Sequence, residues 1–119
     1  MVKILIQITH GPENPTRAAL GFHVAKAAIE EGHEVTMFLA GPGVHLMRKG
    51  VIDHMRGLGT ANLREVYDVI IANGTKFYLG TSSKTGSLTE AELEGKNYEF
   101  ATPKQLVQLA IEHDRMFNY

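Results

Sequence analysis

Short apolar runs alternate along the chain with segments whose apolar residues recur at helical spacing. Strands are predicted at 2–9, 35–40 and 76–79, where β-branched and aromatic residues cluster between turn residues. Two further short strands are predicted at 98–101 and 117–119. The pattern therefore indicates about five strands separated by helical segments.

The helix boundaries are marked by capping residues, proline and glycine. The first helix begins at Asn14 and Pro15, an N-cap followed by a proline at the first helical position, and ends at Gly32. A middle helical segment is predicted over 44–55, interrupted near Gly50. Further helix starts are predicted at three capping residues: Asn62, Thr89 and Thr102.

Strands that alternate with helices of this size pair in parallel. We expect one domain over 1–119, of the α/β class, with a flavodoxin-like, doubly wound, mostly parallel sheet of about five strands in three α/β/α layers. Ligands of such sheets bind beyond the carboxyl ends of the strands. The loops at 9–16, 41–45 and 80–87 are therefore the candidate site.

Composition excludes several kinds of chemistry. The 119 residues carry a formal net charge of −1 and no cysteine, which removes disulfides, thiolate nucleophiles and sulfur ligands. Lysine and arginine are scattered, so nucleic-acid binding is not indicated. No segment reaches the roughly 20 apolar residues of a spanning helix, so no membrane association and a cytoplasmic location are expected.

Hydroxyl and glycine residues dominate the loop at 80–87, which contains Lys84. It is typical either of an anion-binding nest or of a solvated loop whose hydroxyls cap its own backbone. A nucleotide-binding loop has glycine directly before its lysine, and Ser83 stands there instead. No serine lies on the strained elbow that a serine hydrolase uses.

Histidines follow the first two strands. His10 and His45 are expected at one sheet edge, where they either hold a metal, act as an acid–base pair or are loop residues that hydrogen-bond the backbone. Two ligands at unrelated spacing do not define a metal site, so neither a metal site nor a cofactor is predicted. The candidate ligand-binding residues share a position at this edge: Thr9, His10, Asn14, Arg17, Gly41, Gly43, His45, Leu79, Gly80, Thr81, Ser82, Ser83 and Lys84.

Several stretches in a fixed order resemble the DsrE/DsrF-like (YchN/TusD-like) sulfur-relay family. The matching pieces are Thr9 with its following polar loop, 27–35, 38–44, 76–84, 88–89, and the final helix from Thr102-Pro103 to Asp114-Arg115. Each piece alone has low specificity, but together, in this order and at this spacing, the pieces span nearly the whole chain. The resemblance implies a flavodoxin-like subunit that assembles as a trimer or hexamer.

The resemblance also implies a sulfur carrier at one position. Active members hold a persulfide on a cysteine at the end of the third strand, and the matching residue here is Leu79, followed by Gly80 and Ser82. The chain is thus identified as a member without the carrier cysteine and without a catalytic residue. Family assemblies include such subunits as partners or scaffold. Leu79 either fills the former pocket or lines a pocket for an apolar ligand.

The first functional hypothesis is a cysteine-less, DsrE-like homo-oligomer, with a binding or scaffold role in intracellular sulfur transfer and a relay protein or small molecule as partner. Exposed apolar residues are expected to support assembly: Phe77, Tyr78, Tyr98, Phe117 and Tyr119. The alternative is a non-thiol enzyme or anion-binding protein that uses His10, His45 and the 80–87 loop. The third hypothesis is a metal-binding module built from histidines and carboxylates, including Glu34 or Asp53. The missing thiol favours a role other than catalysis.

Overall fold

A five-stranded sheet forms the centre of the computed structural model, which describes residues 1–48, 50–59, 62–81 and 88–119. All four strand pairings are parallel. The strands, numbered along the chain, are β1 (Lys3–Ile8), β2 (Glu34–Leu39), β3 (Lys76–Gly80), β4 (Tyr98–Ala101) and β5 (Arg115–Asn118).

Four α-helices and two 3₁₀ helices connect the strands in the described residues. The α-helices are α1 (Pro15–Glu30), α2 (Leu63–Ala72), α3 (Glu90–Leu93) and α4 (Pro103–Glu112). The 3₁₀ helices are Gly41–Met47 and Ile52–His54. The predicted caps are present, since Asn14 and Asn62 accept from backbone N–H groups, and Thr89 and Thr102 form complete capping boxes.

The strand order β4-β3-β2-β1-β5 determines which helix covers which face. The chain steps outward from β1 to β4 and then returns across the sheet to place β5 beside β1. Because parallel crossovers are right-handed, this reversal puts α4 on the opposite face from α1 and α2. We call the two sides the α1 face and the α4 face.

Each face has its own hydrophobic core. On the α1 face, the Phe22 ring lies 5.9 Å from the Tyr67 ring and 6.5 Å from the Phe77 ring. The α4 face is smaller, and its buried residues are Leu5, Phe38, Ala101 and Leu109. Successive strand residues point to alternate faces, so each strand contributes to both cores.

The predicted fold class is confirmed, with three differences of detail. The middle helical segment forms two 3₁₀ helices, the first of which takes in the predicted 41–45 loop. The last strand begins at Arg115 rather than at 117. Phe77 is fully buried against Phe22, so its predicted exposure is wrong, because β3 lies inside the sheet and this side chain points to the α1 face.

Within the described ranges, no helix combines the length and the apolar character that crossing a bilayer requires.

Candidate functional site

The loops after β1 and β2 meet at the carboxyl edge of the sheet, backbone against backbone. A Cβ on Gly43 would lie 2.3 Å from the Ile8 carbonyl oxygen, and one on Gly11 would lie 2.3 Å from the Pro42 carbonyl oxygen. Gly41 adopts a φ of 54°, which favours glycine. These glycines are therefore required by the close packing of the two loops.

Thr9 and His10 lie directly after β1. The Thr9 backbone N–H and hydroxyl both donate to the Tyr119 carbonyl oxygen, at 2.9 and 3.1 Å. The His10 Nδ1 lies 3.3 Å from the Thr9 hydroxyl oxygen. The Thr9 contacts fix the last residue of the chain to this edge of the sheet.

Asn14 and Arg17 lie at the start of α1. The Asn14 Oδ1 accepts from the Arg17 backbone N–H at 3.3 Å, so this side chain acts as the helix cap. The Arg17 side chain is exposed and makes no ion pair with any residue that the structure describes. A cation therefore stands at the first turn of α1, beside the loop that follows β1.

His45 belongs to a polar network on the 3₁₀ helix Gly41–Met47. Its Nδ1 accepts from the Arg48 Nε at 2.9 Å, and the Arg48 Nη1 lies 3.8 Å from the Glu92 Oε1. His10 instead contacts Thr9. Across the described ranges, the two histidines share neither a hydrogen bond nor a common partner, so the structure does not bring them together as an acid–base pair.

Leu79 lies near the end of β3 and is fully buried, with 0% exposure. Its side chain belongs to the core of the α1 face, together with Phe77. Gly80 follows on the opposite face of the sheet, and Thr81 is exposed. The other candidates of this loop, Ser82, Ser83 and Lys84, lie outside the described residues.

A small apolar cavity lies on the α4 face, at the ends of β2, β3 and β4. Its volume is about 220 Å³, and its lining residues are Phe38, Ala40, Gly80, Thr81, Ala101, Pro103 and Leu106. Two of the predicted candidates, Gly80 and Thr81, thus face a cavity, while Leu79 is absent from its lining. We call it the strand-end cavity.

A second cavity, of about 310 Å³, lies between the 3₁₀ helices, α2 and α3, and is polar. The Lys96 Nζ donates to the Met47 and Glu92 carbonyl oxygens at 3.0 and 2.7 Å and lies 5.5 Å from the centre of the Tyr67 ring. Burial raises the pKa of the Tyr67 hydroxyl, and burial lowers the pKa of the Lys96 ammonium. Besides Lys96 and Glu92, the charged residues that line this cavity are Arg48, Asp53, Arg64 and Glu94.

No sequence pattern predicted this polar cavity. Arg48 and Glu92 are 44 positions apart, and a capping box explains Glu92 locally, so nothing in the pattern linked the two residues. The only available signal was the capping box itself, since it fixes Glu92 at the start of α3. Contacts between distant segments of this kind depend on the fold and are not visible in periodicity.

The chain has no thiol, and in the described ranges no three histidine or carboxylate side chains form a metal-binding group. The candidate residues are mostly structural: a cap at Asn14, a tether at Thr9 and close packing at Gly43. Two of the candidates, Gly80 and Thr81, line a cavity that is open to a ligand, the strand-end cavity.

Comparison with known proteins gives one family and one fold. The sequence model of the DsrE/DsrF-like family matches residues 2–119. The crystal structure of the YchN protein from E. coli superposes with a TM-score of 0.76 at 18% identity, covering 100% of both chains. No curated protein shows significant similarity to the chain.

Proposed function

The chain belongs to the DsrE/DsrF-like family, and on this premise we propose that it acts as a non-carrier subunit in intracellular sulfur transfer. In this role it assembles with copies of itself, as a trimer or hexamer, and binds a relay protein or a small molecule. It serves as a scaffold or binding subunit and transfers no sulfur of its own. The family is associated with sulfur relay, and a scaffold role fits a member that contains no cysteine.

The observation that carries this proposal is the complete burial of Leu79. The residue that matches the position of the family's carrier cysteine lies in the core of the α1 face, with 0% exposure. A leucine there adds apolar contacts and leaves no reactive group near the surface. This burial supports a subunit that keeps the family fold and carries no sulfur at this position.

The strand-end cavity supports the binding part of the proposal. It lies beyond the carboxyl ends of parallel strands, where ligands of such sheets bind, and next to the β3 end. Its volume of about 220 Å³ is below the roughly 300 Å³ of common ligand pockets, so it fits a group of few atoms. Its lining is mainly apolar, which favours an uncharged ligand.

Mass in solution tests the assembly. Light scattering on the eluting protein, over a dilution series in the micromolar range, is expected to give three or six times the 13.1 kDa of one chain. A single chain mass throughout the series contradicts the proposed assembly.

Titration with indole, followed by NMR, tests the cavity. We expect chemical shift changes at Ala101 and Leu106, since both line it. The substitution Ala101→Leu places a larger side chain in the same space, so it is expected to abolish the changes while the remaining spectrum stays folded. Shifts that persist in Ala101→Leu contradict the placement of the ligand.

A further inference from the structure

The polar cavity between the 3₁₀ helices, α2 and α3 has charges of both signs in its wall. Its volume is about 310 Å³, at the lower end of the roughly 300–1,000 Å³ of common ligand pockets. Three cations and three carboxylates line it: Arg48, Arg64, Lys96, Asp53, Glu92 and Glu94. The wall is therefore neutral in sum, but each of its charges acts on a small ligand at short range.

Four of these side chains neutralise each other in pairs. The Arg48 Nη1 lies 3.8 Å from the Glu92 Oε1. The Arg64 Nη1 lies 3.5 Å from the Asp53 Oδ1. The two pairs account for both guanidinium groups and for two of the three carboxylates, so one ammonium and one carboxylate of the wall remain.

Lys96 and Glu94 are the two remaining charges. Neither forms an ion pair with any residue that the structure describes. The Lys96 Nζ donates to the Met47 and Glu92 carbonyl oxygens, so in the described part of the chain one of its three N–H groups has no partner. Burial lowers the pKa of this ammonium, and the nearby Glu92 carboxylate offsets only part of that effect. An anionic group beside the Nζ would stabilise its charged form.

The Tyr67 hydroxyl is the second unused donor of this cavity. Tyr67 lines the cavity and is only 5% exposed. Its hydroxyl makes no hydrogen bond within the described ranges and is not sealed off from solvent, so it opens to the cavity. The Lys96 Nζ lies 5.5 Å from the centre of the same ring. The ammonium and the hydroxyl are thus two neighbouring donors, an arrangement that suits the two oxygens of a carboxylate.

We propose that this cavity binds a small zwitterion of the amino acid class, with one carboxylate and one ammonium group. The ligand carboxylate accepts from the Lys96 Nζ and the Tyr67 hydroxyl, and the ligand ammonium pairs with the Glu94 carboxylate. A plain anion meets the wall carboxylates without compensation, and a plain amine meets the wall cations in the same way. The site is separate from the strand-end cavity, so the inference goes beyond the proposed function and does not depend on it.

Three matched ligands test the proposal: L-alanine, propionate, which lacks the amino group, and ethylamine, which lacks the carboxylate. Each is titrated at millimolar concentration into isotope-labelled protein, and chemical shifts are followed by NMR. We expect L-alanine to shift the backbone amides of Gly50, Ala91 and Lys96, which line the cavity. It should bind at least about tenfold more tightly than either partial ligand, since a hydrogen bond to a charged group contributes about that factor.

Variants separate the contacts. Lys96→Met removes the ammonium and keeps an unbranched side chain, and it is expected to lower the affinity for L-alanine at least about tenfold. Tyr67→Phe removes one hydroxyl donor and is expected to lower it about threefold. Glu94→Gln, at an exposed position, is expected to stay folded and to lose most of the preference for L-alanine over propionate. Lys104→Met, on the opposite face of the sheet, is the matched control and is expected to bind as the wild type does.

Each contrary outcome overturns a stated part of the proposal. Propionate or ethylamine that binds as tightly as L-alanine overturns the zwitterion. An unchanged affinity in both Lys96→Met and Tyr67→Phe overturns the carboxylate position, and an unchanged preference in Glu94→Gln overturns the ammonium position. A wild type without shifts at the cavity overturns the site as a whole. If Lys96→Met does not fold, the other two variants still decide. The mass in solution and the indole titration test the proposed function separately.

Discussion

The two faces of the sheet differ in how completely they are covered. On the α1 face, two helices of 16 and 10 residues and both 3₁₀ helices bury a continuous core around Phe22. The α4 face is covered by one helix of 10 residues over a smaller core. The sheet surface there also carries polar contacts, since the Thr36 hydroxyl lies 3.0 Å from the His113 Nε2 and the Lys76 Nζ lies 3.3 Å from the Glu99 Oε2.

We infer from this difference that the α1 face serves mainly stability and the α4 face mainly interaction. The α1 face uses its apolar residues for the fold, and Leu79 is one of them. The α4 face holds the strand-end cavity and the exposed side chains of Val107 and Ile111. We therefore expect substitutions in the core of the α1 face to reduce stability strongly, and substitutions on the α4 face to affect mainly binding.

The largest effect is expected for Phe22→Ala. Removing this ring leaves a cavity beside Tyr67 and Phe77, at a cost of about 3–5 kcal/mol in the free energy of unfolding. Met116→Ala, at a partly buried position of the α4 face, is expected to cost about 1 kcal/mol. Urea denaturation of both variants gives the comparison, and equal losses would remove the distinction between the faces.

Glycine substitutions give a smaller effect of the same kind. In Gly43→Ala the new Cβ lies 2.3 Å from the Ile8 carbonyl oxygen, so the backbone must shift, at a cost of about 1–3 kcal/mol. Gly80→Ala is the matched control, because the new Cβ would have the Ala40 Cα, at 3.7 Å, among its nearest neighbours, which is an ordinary contact distance. Thermal unfolding should show a lower Tm for Gly43→Ala only. A loss of the same size in Gly80→Ala would contradict the role given to the loop packing.

The smallest effect is a dependence on alkaline pH. Because burial raises the pKa of Tyr67 in the folded state, the folded protein keeps this proton where the unfolded chain loses it, above about pH 10. Stability conferred by the protonated hydroxyl is complete below that pH and falls as pH rises, by at most about 1.4 kcal/mol per pH unit.

Tyr67→Phe isolates this contribution from that of Lys96. The lowered pKa of Lys96 acts in the opposite direction, since its charged form is disfavoured by burial and stability rises as it loses its proton. The difference between wild type and Tyr67→Phe, measured by urea denaturation from pH 9 upward, should therefore shift in favour of the variant. A constant difference across this range would show that the hydroxyl titrates as in the unfolded chain.

The sequence predicted the architecture because its signals are local. The proline and cap at the start of α1 and the β-branched run of β1 each determine one element, and the strand–helix alternation implies parallel pairing. The start of β5 was missed because Arg115 and Asn118 are exposed and polar, so this edge strand lacks a strong apolar pattern. The middle segment has the spacing of a helix but forms 3₁₀ turns around Pro42, Gly43 and Gly50.

The candidate site was less predictable, because it depends on which face each side chain points to. The loops were identified from topology alone, but alternation sends Leu79 into the α1 core and Gly80 to the α4 face, although they are neighbours. The prediction that Phe77 is exposed was wrong for the same reason. The network of His45, Arg48 and Glu92 joins segments far apart in the chain, which no local pattern encodes.

The burial of position 79 is the centre of this account, and single cysteines test it directly because the chain has none of its own. Leu79→Cys and Thr81→Cys are treated with a water-soluble disulfide reagent under conditions where both variants are folded. The exposed cysteine of Thr81→Cys should react at least about a hundredfold faster, since about 3 kcal/mol of opening is needed to expose position 79. Equal rates would show that position 79 is open to solvent and would contradict the assignment of Leu79 to the core.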